Sequence, residues 1–211
     1  MTTAAHPPVT RTPTLGQVLS LEIPFHRILV HPTPGTATAS DVTTIRRREG
    51  RLCELIDGTL VEKTMGSKES GLAAMLIYFL ISFTEPRQLG RVLAPDAMIW
   101  FAPNQVRLPD VAFYPRERLP GGIIPDQAIL DIIPDLVVEI LSRGNTKQEM
   151  DRKLREYFAA GVRLVWFANP RKRTVLVYES VDRVTRLNHT ATLDGGAVLP
   201  GFTLRVSDWL K

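Results

Sequence analysis

The stretch PDLVVEILSRGNTKQEMDRKLREY, Pro134 to Tyr157, carries a strand, a tight loop and a helix in succession. Leu136, Val137, Val138, Ile140 and Leu141 form an apolar, β-branched run, the pattern of a strand buried on both faces. Glu139 lies in the middle of it. A carboxylate there is costly to desolvate unless a cation pairs with it, a proton neutralises it or a metal binds through it. Thr146 caps the following helix, with Glu149 at capping-box spacing, and Gly161 closes it after Ala160. VRLVWFANP then reads as another buried strand. Strand–helix–strand over 135–168 implies a right-handed crossover and a parallel pair.

Outward from this unit the signals are those of hairpins. RLCELIDGTLVEKT predicts two strands joined at Asp57-Gly58. SKESGLAAMLIYFLISFTEP predicts an amphipathic helix from a Ser67 cap to a stop at Pro86. RVLAPDAMIWF and VRLPDVAFYP each read as one strand. DVTTIRRREG predicts a short helix from Asp41 to Gly50. RKRTVLVYES and RVTRLNH predict further strands, and GFTLRVSDWL a strand and a short helix. Residues 1–40 are expected to form a flexible N-terminal tail ahead of one domain over 41–211: the first 17 are rich in Thr, Ala and Pro, and 21–40, irregular with three prolines, either pack as loose coil or stay mobile. The architecture predicted is α/β or α+β, a central mixed sheet with a helix on each side.

Composition narrows the class. The chain has 211 residues, 44% hydrophobic and 23% charged, with a net charge of +4, which suits a globular domain and is weak evidence for a polyanionic partner. The single cysteine, Cys53, excludes an internal disulfide framework. The apolar run LAAMLIYFLI is shorter than the roughly 20 residues a membrane span needs, and the first residues lack a secretory signal. A soluble cytoplasmic protein is expected.

A second carboxylate is as awkwardly placed as Glu139. Asp110 follows Pro109 inside the apolar run VRLPDVAFY, and Pro109 cannot donate to a sheet ladder. Asp110 and Glu139 on neighbouring strands, facing one side, form an oxygen-rich site for a hard divalent cation such as Mg²⁺, with a backbone carbonyl beside Glu139, that of Ile140, completing the protein ligands. Lys153 lies three residues after Met150 and four before Tyr157, both core candidates, so it falls on or beside the buried face of its helix and within reach of the same pocket. Its ammonium group would offset carboxylate charge, position a water or stabilise a pentavalent phosphate. Glu54 alternates with its neighbours and either lines the cleft or faces water.

Each residue taken singly also has a plainer reading: a buried ion pair for Glu139, a turn aspartate for Asp110, a snorkelling stem for Lys153. Asp96 in APDAM is a second Pro-Asp element, ranked below Asp110. Asp57 serves its turn, Cys53 is packed, and Trp100 and Trp166 are assigned to the core. No histidine has a Cys or Ser partner by pattern.

The blocks ELIDGTLVEK, RLPDVAFYP, PDLVVEILS, DRKLREYFAAGVRLVWFANPRKRTVLVY and LPGFTLRVSDWL, within 42–211, resemble the Uma-two family of restriction-endonuclease-like proteins in the PD-(D/E)XK nuclease superfamily. The resemblance implies that Pro109-Asp110 is the PD element, with Asp110 a metal ligand, and that Glu139 is the second acid. The superfamily lysine two residues on is Leu141 here, and the resemblance implies that the amine comes instead from the next helix, as Lys153. Glu54 is similar to the acid that an early element contributes. Many relatives have a histidine early in the first long helix, where this chain has Lys68, Glu69 and Ser70. The implied activity is a Mg²⁺-dependent endonuclease on DNA, with Mn²⁺ as a substitute and a homodimer to cut both strands. The alternatives are an inactive nuclease-fold module binding nucleic acid or protein, and a structural homodimer in which Glu139 is only ion-paired.

Overall fold

The structure, a computed structural model, describes residues 23–211. The helices are α1 (Ala39–Glu49), α2 (Ser67–Thr84), α3 (Lys147–Ala160) and α4 (Val206–Trp209). The first strands are β1 (Cys53–Ile56), β2 (Thr59–Glu62), β3 (Gly90–Leu93), β4 (Ile99–Ala102), β5 (Gln105–Arg107) and β6 (Val111–Pro115). They are followed by β7 (Leu136–Ile140), β8 (Leu164–Asn169), β9 (Thr174–Tyr178), β10 (Val184–Leu187), β11 (Thr192–Asp194) and β12 (Thr203–Arg205).

A six-stranded mixed sheet in the order β10-β9-β8-β7-β6-β3 forms the centre. β7 and β8 run parallel, from Leu136 opposite Leu164 to Ile140 opposite Ala168, with α3 as the crossover; every other pair in this sheet is antiparallel. The alternation of β7 divides its side chains between two cores. Leu136, Val138 and Ile140 pack with α2 and the C-terminal Phe202 and Trp209. Val137 and Leu141 pack with Met150, Leu154 and Tyr157 of α3. Glu139 shares the second parity, so it faces α3. A helix therefore covers each face, as the sequence predicts.

A four-stranded antiparallel sheet, β2-β1-β5-β4, packs under α1 through Val42, Leu55, Leu60 and Val106. Its β1–β2 hairpin turns at Asp57 and Gly58, both at positive φ (46° and 72°), as a two-residue loop requires. Among the described residues no helix is long and apolar enough to cross a membrane.

Four expectations need correction. VRLPDVAFYP is not one strand: β5 belongs to the small sheet and β6 to the central one, and the break falls at 108–110, where Pro109 has no N–H to give. RVLAPDAMIWF is likewise cut by a turn into β3 and β4. Trp100 is 42% exposed, because its strand alternates and Ile99 and Phe101 take the inner face. Lastly, residues 23–38 are not a loose tail. Ile23, Leu29 and Ala37 are buried, Leu29 N–H donates to Leu60 O at 2.9 Å, and Ile28 bridges Val61. This segment packs as single turns and isolated bridges, which leave no periodicity in the sequence. The rest of the expected tail, residues 1–22, lies outside the described residues.

Candidate functional site

The break at Pro109 is what frees Asp110. Its backbone N–H still reaches Val138 O at 3.0 Å, so the residue stays registered on β7, while its carboxylate turns along the strand edge and accepts Ile140 N–H on Oδ2 at 2.7 Å. In an antiparallel pair a residue sends N–H and C=O to the same neighbour, so the Ile140 carbonyl leaves β7 on the Asp110 edge. Asp110 and Glu139 are 4% and 5% exposed.

Lys153 meets them from α3. Thr146 Oγ1 accepts Glu149 N–H at 3.1 Å and fixes the first turn, which puts Lys153 two turns along, over the end of β7. Its Nζ lies 3.0 Å from Glu139 Oε1 and 3.0 Å from Glu54 Oε1. Glu54, fully buried on β1, is held on its other oxygen by Arg107 at 2.8 Å, and Arg107 is shared with Glu156 of α3. The four residues singled out in the sequence, Asp110, Glu139, Lys153 and Glu54, thus meet in one place. Asp96 does not join them: it is exposed and pairs with Arg46 at 2.7 Å.

Four further residues belong to the site without having been singled out for it. Lys63 Nζ sits 2.8 Å from Asp110 Oδ1 and also donates to Leu108 O. Strand parity held the signal: Glu54 stands opposite Val61, so Lys63, two residues on, falls on Glu54's face. Tyr157 donates its hydroxyl to Glu139 Oε1; a buried tyrosine needs such a partner. Arg107, 1% exposed, is an arginine inside an apolar run and was as visible as Glu139. Arg27, from the N-terminal segment, pairs with Glu149 at 2.9 Å and donates through Nε to Glu62 O, with 5% and 2% exposure for the two side chains. It ties the residue before Lys63 to the helix that carries Lys153.

The electrostatics separate the acids. Burial alone would raise Glu54, but the Lys153, Arg107 and Lys63 charges outweigh it and hold its carboxyl well below the usual range. Burial pushes Glu139 up; Lys153 and Lys63 relieve part of that, Asp110 and Glu54 add to it, and the carboxyl stays above its ordinary value. Burial also works against the charged amine of Lys153, yet Glu139 and Glu54 keep it protonated. Glu54 is the anion that its cationic neighbours favour, and Glu139 is the acid whose charged form burial disfavours.

These groups leave a cavity of about 20 Å³ beside Asp110, Glu139 and Lys153, opening past Glu69 and Asn145. That is room for one water or ion and too little for a base. Asp110, Glu54 and Glu139 face Lys63, Lys153 and Arg107, and Glu156 is met by Arg152 as well as Arg107, so each acid is paired and a cation would have to displace one of these partners. Among the described residues no three acidic, histidine or cysteine side chains stand together as a ready ligand cage. The donor set of two carboxylates, a carbonyl and water suits Mg²⁺, which keeps several of its waters. Lys63 would have to yield Asp110 Oδ1 to it.

A model of the Uma2 (Uma-two) family, described as "Putative restriction endonuclease", matches residues 40–207. Among solved structures the chain is similar to "a putative nuclease belonging to DUF820" from Anabaena variabilis ATCC 29413. The TM-score is 0.68 at 22% identity, covering 77% of this chain and 93% of that one, a likeness of fold. No curated protein matches the chain. Arg27 lies ahead of the matched residues.

Proposed function

The chain belongs to the Uma2 family, and from that premise we propose that it hydrolyses DNA phosphodiester bonds with a divalent cation, Mg²⁺ or its substitute Mn²⁺. Asp110, Glu139 and the Ile140 carbonyl would hold the ion. Bound there, it would lower the pKa of a coordinated water and offset charge on the phosphate. The observation that carries the reading is the placement of one ammonium, Lys153 Nζ, 3.0 Å from both Glu54 and Glu139.

The roles of the chain's own groups follow from their electrostatics. Lys153 stays protonated, so it acts as a donor and not as a base: its hydrogens orient a water and meet the negative charge that builds on phosphate oxygens. Glu54 and Arg107 hold that amine in place. Tyr157 fixes one oxygen of Glu139 and leaves the other for the ion. Leu141, where the superfamily pattern has its lysine, is half-buried in the core under α3 and takes no part.

Plasmid nicking with Mg²⁺ or Mn²⁺ tests this, comparing the wild type with Glu139→Ala and Lys153→Ala after each is shown to fold. Loss of nicking in both is expected; unchanged cleavage by both removes the mechanism. The Lys63–Asp110 contact at 2.8 Å favours a second reading, in which the lysine is the permanent counter-ion and the fold binds nucleic acid without cutting it. Titration calorimetry with Mn²⁺ separates the two, because that reading requires no heat of metal binding alongside retained DNA affinity.

A further inference from the structure

Arg143, Arg171, Lys172, Arg173 and Arg186 are all exposed, and among the described residues none has an acidic partner. Other arginines of the surface divide: Arg46, Arg91, Arg163 and Arg183 each meet a carboxylate, while Arg87 and Arg116 hydrogen-bond Phe83 O and Gln88 Oε1 and no acid, so what distinguishes the five is where they cluster. From Phe158 to Tyr178 the chain contains no acidic residue at all. Asp151, the acid of α3 that acts on Tyr178, is itself engaged by Lys147. An uncompensated cluster of this kind costs folding some self-repulsion and gives nothing back within the chain.

The fold puts this cluster beside the candidate site. β8 runs parallel to β7 with Ala168 opposite Ile140, and Asn169 pairs with Thr174 on β9, so the turn 170–173 lies at the same end of the sheet as Glu139. Leu141 borders a hollow of about 140 Å³ floored by Phe167 and Leu176 and edged by Lys172 and Arg186. Ser142, the next residue, lines the cavity that holds Asp110 and Glu139. Two residues along a strand span about 7 Å and neighbouring strands lie about 4.8 Å apart. Asn169, where the turn begins, therefore lies about 8–9 Å from Glu139, and Arg186, three strand spacings away through Phe167 and Leu176, about 14 Å.

We propose that the β8–β9 turn, with Arg143 and Arg186, is the surface that carries the sugar–phosphate backbone of a nucleic acid into the candidate site. This rests on the nuclease reading and adds to it the side from which the strand arrives. Cations without acidic partners match phosphate oxygens, and the apolar floor between them matches the faces of the sugars. Such contacts set affinity and register without reading sequence.

The test is the salt dependence of binding to a fluorescein-labelled DNA duplex, followed by anisotropy in EDTA so that nothing is cut. The triple variant Arg171→Gln/Lys172→Gln/Arg173→Gln is compared with Arg87→Gln/Arg116→Gln. Arg116 follows β6 at the far end of the sheet, where Phe113 pairs with Leu136. Both variants change exposed side chains and should melt with the wild type. The triple variant is expected to flatten the slope of log K against log salt by roughly 2 to 3, and the control to leave it unchanged. A triple variant that keeps the wild-type slope, or a control that loses as much, overturns the assignment. If the wild type still nicks plasmid in that case, only the entry surface falls. A wild type that neither binds nor nicks DNA brings down the surface and the nuclease reading together.

Discussion

At the scale of single residues, Glu139 and Glu54 share one lysine and respond to pH in opposite directions. Glu139 is raised by burial and by its acidic neighbours. Below its unfolded value, near 4.5, both folded and unfolded states hold the proton and it contributes nothing. Between that value and its raised folded value only the folded state keeps the proton, so stability falls as pH rises through the window. Glu54 is depressed, so its contribution is complete above its unfolded value and fades as the solution is acidified towards its folded one. The Tm of Glu139→Gln relative to wild type should therefore climb with pH from about 4.5 upward; a flat difference across that range contradicts the assignment. Arg27 gives a second prediction. Arg27→Met leaves Glu149 buried and without its countercharge, which costs about 3–5 kcal/mol in urea unfolding. Adding Glu149→Gln should recover much of that loss, because it removes the stranded charge.

At the scale of elements, the β1–β2 turn does more than join two strands. A Cβ on Gly58 would lie 2.5 Å from Gly35 O, and Ala37 N–H donates to Gly58 O at 2.8 Å. The turn therefore needs glycine both for its positive φ and for the close passage of the N-terminal segment. Gly58→Ala should cost about 1–3 kcal/mol by urea titration, and should do so through the segment: proteolysis near residues 33–38 should speed up before the domain as a whole opens. Elements also show where the sequence was readable. The β7–α3–β8 unit follows from a β-branched run, a cap and a closing glycine, all local signals. The hairpin at Asp57-Gly58 is equally local. The division of VRLPDVAFYP between two sheets is not, since periodicity continues across Pro109 while the partner strands change. In the site, Asp110 and Glu139 were legible because charge inside an apolar run is conspicuous, and Lys153 because helical spacing sets it beside Met150 and Tyr157. Lys63 sits just past the end of β2, where only the parity shared with Glu54 points to it, and Arg27 lies in a segment of single turns and isolated bridges, whose sequence names no partner for it.

At the scale of the whole molecule, the site lies where two sheets and two otherwise distant segments converge: β1 and β2 bring Glu54 and Lys63, β7 and α3 bring Glu139 and Lys153, and the N-terminal segment brings Arg27. A divalent cation that binds only this assembled arrangement should stabilise the entire domain. At a concentration a hundred times its Kd the gain is about 2.7 kcal/mol, or about 5–10 °C in Tm for a domain of this size. Mn²⁺ titrated in differential scanning calorimetry at neutral pH should show it, and Asp110→Asn should abolish it. Absence of any shift in the wild type would leave the Lys63 counter-ion as the better account of Asp110.

Because the amine arrives on α3 while both acids belong to the sheet, the proposed mechanism places the holding of the ion and the stabilisation of the phosphate on different elements. Volume changes at Met150 or Leu154, which seat the helix, should move Lys153 and Tyr157 against Glu139 while Asp110 stays fixed to Ile140 N–H on the sheet. On that reading, evolution could retune the rate by reseating one helix, with no edit to Asp110 or Glu139.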